Sequence, residues 1–283
     1  MRPHDSEAPH DGSAETAGIS PARFPAAIVN FVRKTLVVAE LEVRKLRHDI
    51  TELLTRAVQP ALWLLVFGEV FTRTRAIPTG DVPYLDFMAP GILAQSVLFI
   101  AIFYGIAVIW ERDLGLVHKL IVSPTPRTAL VLGKGLSAGL RALSQAAVVY
   151  VLAALLGVRL NWNPLALVGV LAAVLLGGAC FSTLSLIIAC LVKTRERFMG
   201  IGQLLTMPLF FASNAIYPTE MMPGWLKVVA HVNPLTYQVD ALRALMLADG
   251  AATFHLAVDF GVLAGTTAIL VLLAGWLYPT IVR

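Results

Sequence analysis

The stretch Leu165–Val192, LALVGVLAAVLLGGACFSTLSLIIACLV, contains no charged residue. An α-helix needs about 20 mostly apolar residues to cross the roughly 30 Å hydrocarbon core of a bilayer, and this stretch is longer than that. The whole chain has the same character, because 57% of its 283 residues are hydrophobic and 14% are charged. In soluble domains about 45–50% of the residues are apolar and about 25% are charged. The composition therefore excludes an ordinary soluble protein and predicts an integral membrane protein.

Five further segments around this stretch are long and apolar enough to cross a bilayer. The six predicted spans lie near residues 54–72, 88–110, 130–156, 165–192, 198–217 and 257–279. The predicted fold is an all-α integral membrane protein in which residues 54–283 form a domain of six transmembrane helices.

Two segments precede the first predicted span. Residues 1–22 are mostly polar and are predicted to be a disordered cytoplasmic tail, because they cannot bury enough apolar surface to offset their ordering entropy. Residues 23–53 have apolar side chains every three or four positions with basic ones between them, which predicts an amphipathic interfacial helix in the headgroup layer. The alternative for this helix is packing on a soluble partner.

The distribution of basic residues predicts the orientation. Most lysines and arginines outside the spans lie in the N-terminal segment, the second and fourth connections and the C-terminus. The other side has Arg73, Arg75, Arg159, Lys227 and Arg243. Since cytoplasmic loops have an excess of positive charge, both termini are predicted to be cytoplasmic in a multi-pass protein of the cell inner (plasma) membrane.

The sequence shows no set of residues for catalysis, metal binding or nucleotide binding. Gly133-Lys134-Gly135 fails the spacing of a phosphate-binding loop, since position 128 is Thr and position 135 is neither Ser nor Thr. The six histidines and two cysteines have no metal-ligand spacing, and the net charge of +4 is too small to indicate nucleic acid. The chain itself is predicted to be no enzyme and to hold no cofactor or metal.

Few ionisable residues lie inside the predicted spans, which disfavours an ion-coupled carrier; such a carrier, or a membrane-embedded enzyme, is the alternative from a different class. Arg141 is the deepest cation, and we expect it to face the helix bundle, where Gln145 or a backbone carbonyl could pair with it. Three polar residues are candidates for either helix packing or a substrate pathway, namely Arg141, Gln145 and Gln95.

The connection between the second and third spans, residues 111–126, has an unusual pattern. Residues 111–122 have charges at one end and apolar side chains at helical spacing, and Ser123-Pro124 ends the predicted helix. A short amphipathic helix in a cytoplasmic loop could dock in the cleft of a partner, or it could be a solvated turn with a surface helix. Composition leaves both interpretations open.

Several dispersed motifs occur in a consistent order along residues 24–283. They are Gln59–Gly68, Glu111–Gly115 with Leu120 and Ser123-Pro124, Gly133-Lys134, Arg141, Pro218, Pro223 with Trp225, Asn233–Tyr237 and Leu242-Arg243. In these motifs the chain resembles the permease (transmembrane) subunit of type-two ABC exporters, the drug, lipo-oligosaccharide and polysaccharide export class. Asp113 and Leu116 depart from the Glu and Thr of many members, and neither change undermines the resemblance.

The resemblance implies two functional regions. Residues 111–126 would couple the permease to its partner, through Glu111, Arg112, Asp113, Gly115, Lys119 and Leu120. Gly115 would allow close backbone approach. Residues 218–247 would form short extracytoplasmic re-entrant helices before the last span, marked by Pro218, Pro223, Asn233, Pro234, Tyr237 and Arg243.

The resemblance also implies an assembly. A second copy of this permease and two copies of a separate ABC ATPase subunit, which would bind ATP and Mg, would act together in membrane lipid, with no nucleic-acid partner. The pathway would lie between the two permeases, near the first, second and fifth spans. The expected substrate is a hydrophobic or amphipathic drug or lipid-like molecule moved out of the cytoplasm or inner leaflet, with a lipo-oligosaccharide or polysaccharide as the alternative.

Overall fold

A computed structural model describes residues 50–74, 77–80, 82–115, 127–250 and 252–278. The α-helices are α1 (Ile50–Leu62), α2 (Glu69–Thr74), α3 (Tyr84–Asp113), α4 (Arg127–Leu155), α5 (Pro164–Leu191), α6 (Arg195–Phe211), α7 (Gly224–Val232), α8 (Pro234–Met246) and α9 (Leu256–Leu277). The described residues contain one isolated β-bridge and no strand, which confirms the predicted all-α class. The predicted tail 1–22, nearly all of the predicted interfacial helix 23–53, and Lys119 and Leu120 lie outside the described residues.

Four helices in the described part of the chain are long and apolar enough to cross a membrane. They are α3, the part Leu130–Leu155 of α4, α5 and α9. These helices correspond to the second, third, fourth and sixth predicted spans. The start of α5 is fixed by its sequence, because Asn163 Oδ1 accepts a hydrogen bond from the Leu165 N–H at 3.0 Å and Pro164 fills the first helical position.

The first predicted span is a helical run in three parts. α1, a π-helical segment (Trp63–Gly68) and α2 follow one another without a break. Pro60 lies inside α1, and a proline within a helix removes one N–H donor and favours a local departure from α-helical geometry. None of the three parts alone has the length of a membrane span.

The fifth predicted span, residues 198–217, is shorter in the structure. α6 ends at Phe211, and residues 212–217 form turns. The Ser213 hydroxyl donates to the Phe210 carbonyl at 2.7 Å, so a side chain satisfies a backbone group at the end of this helix. Residues 212–216 are buried, and hydropathy alone does not distinguish a buried turn from a helix.

The centre of the helix bundle is formed by α3 and α5. The Gly105 N–H on α3 donates to Ser185 Oγ on α5 at 3.1 Å. α4 also packs very closely on α5, since a Cβ added at Gly178 would lie 2.6 Å from the Cα of Gly139. Small residues allow this approach of two helix backbones, which is typical of helix packing in membranes.

Two connections meet near the start of α3. The Asn161 N–H donates to the Met246 carbonyl at 2.8 Å, and the Ala248 N–H donates to the Arg159 carbonyl at 2.9 Å. The Arg159 side chain also bonds Asp86 at 3.1 Å and Asp249 at 2.7 Å. The α4–α5 connection is thereby linked to the segment that follows α8.

Candidate coupling site and the segment before the last helix

The residues predicted to begin the coupling segment belong to the last turn of α3. α3 continues through Glu111 and Arg112 to Asp113, and Leu114-Gly115 then form a turn. Gly115 has φ of 72° and its N–H donates to the Arg112 carbonyl at 2.9 Å. A left-handed glycine directly after a helix is a common helix stop, so the expectation of one helix over 111–122 was wrong at its start.

Arg112 connects α3 to the C-terminal end of α5. Its Nη1 donates to the Val192 carbonyl at 3.1 Å and its Nη2 donates to the Lys193 carbonyl at 2.7 Å. The last carbonyls of a helix have no partner within the helix, and a basic side chain there satisfies them and interacts favourably with the helix dipole. Arg112 therefore fixes the position of the connection between α5 and α6.

Asp113 extends the contact to α6. Its carboxylate accepts hydrogen bonds from Arg112 at 3.1 Å and from Arg195, the first residue of α6, at 2.8 Å. The Arg195 guanidinium also lies over the Trp110 ring, with its central carbon 3.7 Å from the ring centroid. Such a cation–π contact adds to an ion pair that solvent partly screens.

Glu111 connects the same end of α3 to α4 through an ion pair with Lys134. We call Glu111, Arg112, Asp113, Lys134 and Arg195 the α3-end cluster. It joins α3, α4 and the α5–α6 connection at one end of the bundle. The sequence placed the first three in the coupling set but gave no sign of the roles of Lys134 and Arg195. Arg195 belongs to the fourth connection, which the distribution of basic residues puts on the same side as residues 111–126.

Gly115 has a conformational requirement of its own. A Cβ added there would meet no described atom within 4 Å, so the positive φ, and not crowding, favours glycine at this position. The predicted close approach of a partner's backbone at Gly115 stays a prediction.

The three candidate pathway residues lie in the bundle. The Arg141 guanidinium on α4 has its central carbon 5.6 Å from the centroid of the Tyr104 ring on α3, so Arg141 faces the bundle as expected. Gln145 and Gln95 are buried. These positions suit helix packing, and a contact with substrate stays a prediction.

The residues between α6 and α9 contain two short helices, α7 and α8, in the region where re-entrant helices were predicted. Pro218 precedes a 3₁₀ turn (Thr219–Met221) and Pro223 precedes α7. Pro234 is the first residue of α8, and Asn233 is its N-cap. The prolines thus separate the segment into its helical pieces, because each occupies a position where a missing N–H is tolerated.

Asn233 connects these helices to the end of α6. Its Oδ1 accepts from the Leu235 N–H at 3.0 Å, while its Nδ2 donates to the carbonyls of Leu209 at 2.7 Å and Ala212 at 3.3 Å. The Tyr237 hydroxyl donates to the His231 carbonyl of α7 at 2.8 Å. One asparagine therefore caps α8 and satisfies two carbonyls of α6 and the turn after it.

Arg243 of α8 is almost fully buried, at 7% exposure. Its Nη2 donates to the Asn214 carbonyl at 2.7 Å, and its guanidinium lies 3.9 Å from the centroid of the Phe87 ring. Burial lowers the pKa of Arg243 to about 10, while the carboxylates of Asp240 and Glu220 act to raise it. The guanidinium therefore stays positively charged at neutral pH.

The outer face of α7 is apolar and uncovered in the single chain. Trp225 is 70% exposed and Val232 is 78% exposed. An uncovered apolar face of this kind suits lipid or another protein surface.

The chain matches a known protein family. The model of the ABC-2 type transporter family matches residues 34–247, a range that includes the described α3-end cluster as well as α7 and α8. The chain belongs to this family.

Individual relatives of this ABC-2 permease are similar over most of its length. The putative transport permease ycf38 of Cyanophora paradoxa is 28% identical over 76% of this chain and 74% of its own. The daunorubicin resistance ABC transporter permease protein DrrB1 of Streptomyces coeruleorubidus is 28% identical over 86% of this chain and 84% of its own. Nodulation protein J of Rhizobium meliloti is 28% identical over 64% of this chain and 68% of its own.

The family match, together with the apolar helices, makes this chain a multi-pass membrane protein and the membrane-spanning subunit of an ABC exporter. The resemblance seen in the sequence motifs is thereby confirmed. The chain is a transport component, in a family whose members are generally non-catalytic.

Proposed function

We propose that this ABC-2 permease moves a hydrophobic or amphipathic molecule, a drug or a lipid-like compound, out of the cytoplasm or inner leaflet. ATP and Mg would be bound by a separate ABC ATPase subunit, two copies of which act on two copies of the permease. The observation that supports this mechanism is the α3-end cluster. Because its charged contacts join α3, α4 and the α5–α6 connection, a force applied to the segment after Gly115 would reach all of these elements together.

We infer six membrane spans, both termini in the cytoplasm and residues 218–247 dipping into the membrane from the outside. The helical run Ile50–Thr74 is about 38 Å long at 1.5 Å per residue, which is enough for the hydrocarbon core. α6 has 17 residues and is about 26 Å long, so the buried turns after it supply the remaining depth. Non-spanning backbone at membrane depth requires protein partners, and Asn233 supplies such contacts between α8 and α6.

The relatives and the aromatic side chains bear on the substrate. The relative named for daunorubicin resistance matches 86% of this chain, which favours a drug. A row of aromatic rings, three on the first helical run and Tyr84 at the start of α3, favours a substrate that stacks on aromatic faces, either an aromatic drug or the sugars of a lipo-oligosaccharide or polysaccharide. In this row the ring centroids of Trp63 and Phe67 are 4.5 Å apart, those of Phe67 and Phe71 are 6.1 Å apart, and those of Phe71 and Tyr84 are 5.4 Å apart.

Transport into inverted membrane vesicles tests the proposal. Daunorubicin is the fluorescent probe, and the vesicles contain the permease, a candidate ABC ATPase subunit, both or neither. We expect ATP-dependent accumulation with both subunits, and none when a non-hydrolysable ATP analogue replaces ATP. A lipo-oligosaccharide transported in place of the drug would select the alternative substrate. Equal uptake by the permease alone would contradict dependence on an ATPase partner.

A further inference from the structure

A cavity of about 310 Å³ lies near the start of α3, where the residues before α3, those after α6 and those around the end of α8 meet. This volume is at the lower end of the range for small-molecule sites, about 300–1,000 Å³. Its polar lining includes Asn214, Glu220, Arg243, Asp249 and Thr253. The α3-end cluster lies at the other end of α3, so the cavity is separate from the coupling site.

Arg243 brings an incompletely paired positive charge to this cavity. Its Nη2 is used by the Asn214 carbonyl, but its Nε has no hydrogen-bond partner among the described residues. No described carboxylate lies within ion-pair distance of its guanidinium. A buried charge is costly unless it is paired, and a guanidinium is well suited to an anionic oxygen.

Asn214 offers both a donor and an acceptor beside Arg243. Its side chain belongs to a residue that is only 2% exposed. Neither its Nδ2 nor its Oδ1 has a hydrogen-bond partner in the described part of the chain. Buried side-chain amides are normally hydrogen-bonded, so this side chain is suited to a ligand with polar groups of both kinds.

Glu220 supplies a separate negative charge at the same cavity. It is exposed and forms no ion pair with any described cation, although its charge acts on Arg243 from a distance. Asp249 differs, because Arg159 bonds its carboxylate at 2.7 Å. In the described lining, the Arg243 guanidinium and the Glu220 carboxylate therefore each lack an ion-pair partner, and the two do not contact each other.

We propose that this cavity binds a zwitterionic group, with a phosphate oxygen at Arg243 and Asn214 and an ammonium group at Glu220. A purely anionic group would meet the carboxylate of Glu220, and a purely cationic group would leave Arg243 without a counter-charge. Phosphate linked to ethanolamine has the required chemistry. It occurs in the headgroup of phosphatidylethanolamine and in free phosphoethanolamine. The inference concerns a second site and does not depend on which molecule the permease exports.

Binding to the purified full-length chain in detergent tests this site. The probes are short-chain dihexanoyl phosphatidylethanolamine, the matching phosphatidylglycerol, which lacks the ammonium group, and free phosphoethanolamine. Isothermal titration calorimetry measures each affinity. Because an exposed ion pair has a modest energy, we expect the ethanolamine lipid to bind about two- to fivefold more tightly than the glycerol lipid.

Two variants locate the effect at the cavity. Glu220→Gln should abolish the preference between the two lipids, because the ammonium loses its counter-charge while Arg243 still holds the phosphate. Glu196→Gln removes another exposed carboxylate, in the first turn of α6, and should leave the preference unchanged. Both positions are exposed, and neither side chain takes part in the hydrogen bond from Arg243 Nη2 to the Asn214 carbonyl.

Different binding results support the proposed site or overturn it. Competition by free phosphoethanolamine supports the site with the headgroup as sufficient ligand, and binding of the lipid alone supports it with the bilayer as the source. Equal affinity for the two lipids, no binding of either, or an unchanged preference in Glu220→Gln would overturn the proposal. Daunorubicin transport by Glu220→Gln is measured separately, so failure of the exporter assignment is distinguishable from failure of this site.

Discussion

At the scale of single residues, Asn233 stabilises two chain segments with one side chain. It caps α8 and donates to carbonyls at the end of α6 and just after it. We predict that Asn233→Ala lowers the free energy of unfolding by about 2 kcal/mol, from the lost cap and the lost buried hydrogen bonds. Thermal unfolding of the purified protein measures the change.

Asn163 provides the matched control for this prediction. It caps α5 in the same way, with Oδ1 accepting from the Leu165 N–H at 3.0 Å, but it is exposed. Asn163→Ala should therefore lose only a cap, about 1 kcal/mol. Equal losses in the two variants would mean that the bonds from Asn233 to α6 and to the turn after it contribute nothing.

The ion pair of Glu111 and Lys134 is a second test at this scale. We predict that Glu111→Lys and Lys134→Glu each lower ATP-driven transport, because each places two like charges between α3 and α4. The double exchange should restore most of the activity, with a coupling free energy of about 1 kcal/mol in thermal unfolding. The exposed pair Glu69–Arg73 is the control, and its exchange should have little effect. A double exchange no better than either single variant would show that the pair has no role.

Arg112 illustrates what the sequence could not reveal about single residues. Its position in the connection after the second predicted span placed it in the predicted coupling segment, and the structure places it in the α3-end cluster. Its partners, the Val192 and Lys193 carbonyls, are 80 or more positions away. Hydropathy and spacing contain no information on such a distant contact, so the connection to α5 required the structure.

At the scale of helices, the contact between α4 and α5 depends on two glycines. A Cβ at Gly178 would lie 2.6 Å from the Gly139 Cα, too close for any real carbon contact. We predict that Gly178→Ala lowers the free energy of unfolding by about 1–3 kcal/mol, the usual cost of overpacking, because the two helices must separate. The measurement is the midpoint of thermal unfolding in detergent.

Gly261 is the control for that helix pair. It lies in α9, and a Cβ there would meet no described atom within 4 Å. Gly261→Ala should leave stability unchanged or raise it slightly, since alanine favours the helix by about 1 kcal/mol over glycine. A loss of the same size as in Gly178→Ala would argue against close packing as the cause.

The helices also show where hydropathy fails. It located α3, α4, α5 and α9, because long apolar segments leave few alternatives in a membrane. It overestimated the length of α6, because the turn residues 212–217 after Phe211, most of them buried, were counted as helix, and it gave no sign of the π-helical segment Trp63–Gly68. Backbone geometry inside an apolar stretch depends on local hydrogen bonds that composition does not reflect.

At the scale of the whole molecule, the proposed orientation predicts the compartments of two connections. A reporter fused after Arg195 should be cytoplasmic and one near Thr219 should be external, because the basic residues lie on the Arg195 side. The paired measurement uses an alkaline phosphatase and a fluorescent protein fusion at each site. If both reporters lie in the same compartment, the fifth predicted span does not cross the membrane. If the two compartments are exchanged, the proposed orientation is wrong.

The sequence predicted the class of molecule better than its contacts. Length, apolar content and dispersed motifs were sufficient for a membrane permease, and the family match agrees. The lining of the cavity near α3 was not predictable, because the residues before α3, the connection after α6 with Asn214 and Glu220, and α8 with Arg243 are far apart in the sequence. A site assembled from distant polar residues leaves no periodic pattern in the chain.

The backbone bonds between the α4–α5 connection and the segment after α8 have a kinetic consequence. The amide protons of Asn161 and Ala248 are held by the carbonyls of Met246 and Arg159, although both amides belong to connections, where exchange with solvent deuterium is usually fast. Slow exchange of these two amide protons would show that the connections stay together, and faster exchange would show that they separate. Hydrogen–deuterium exchange at these two amides would therefore time the opening of this end of the permease during its working cycle, with no label attached.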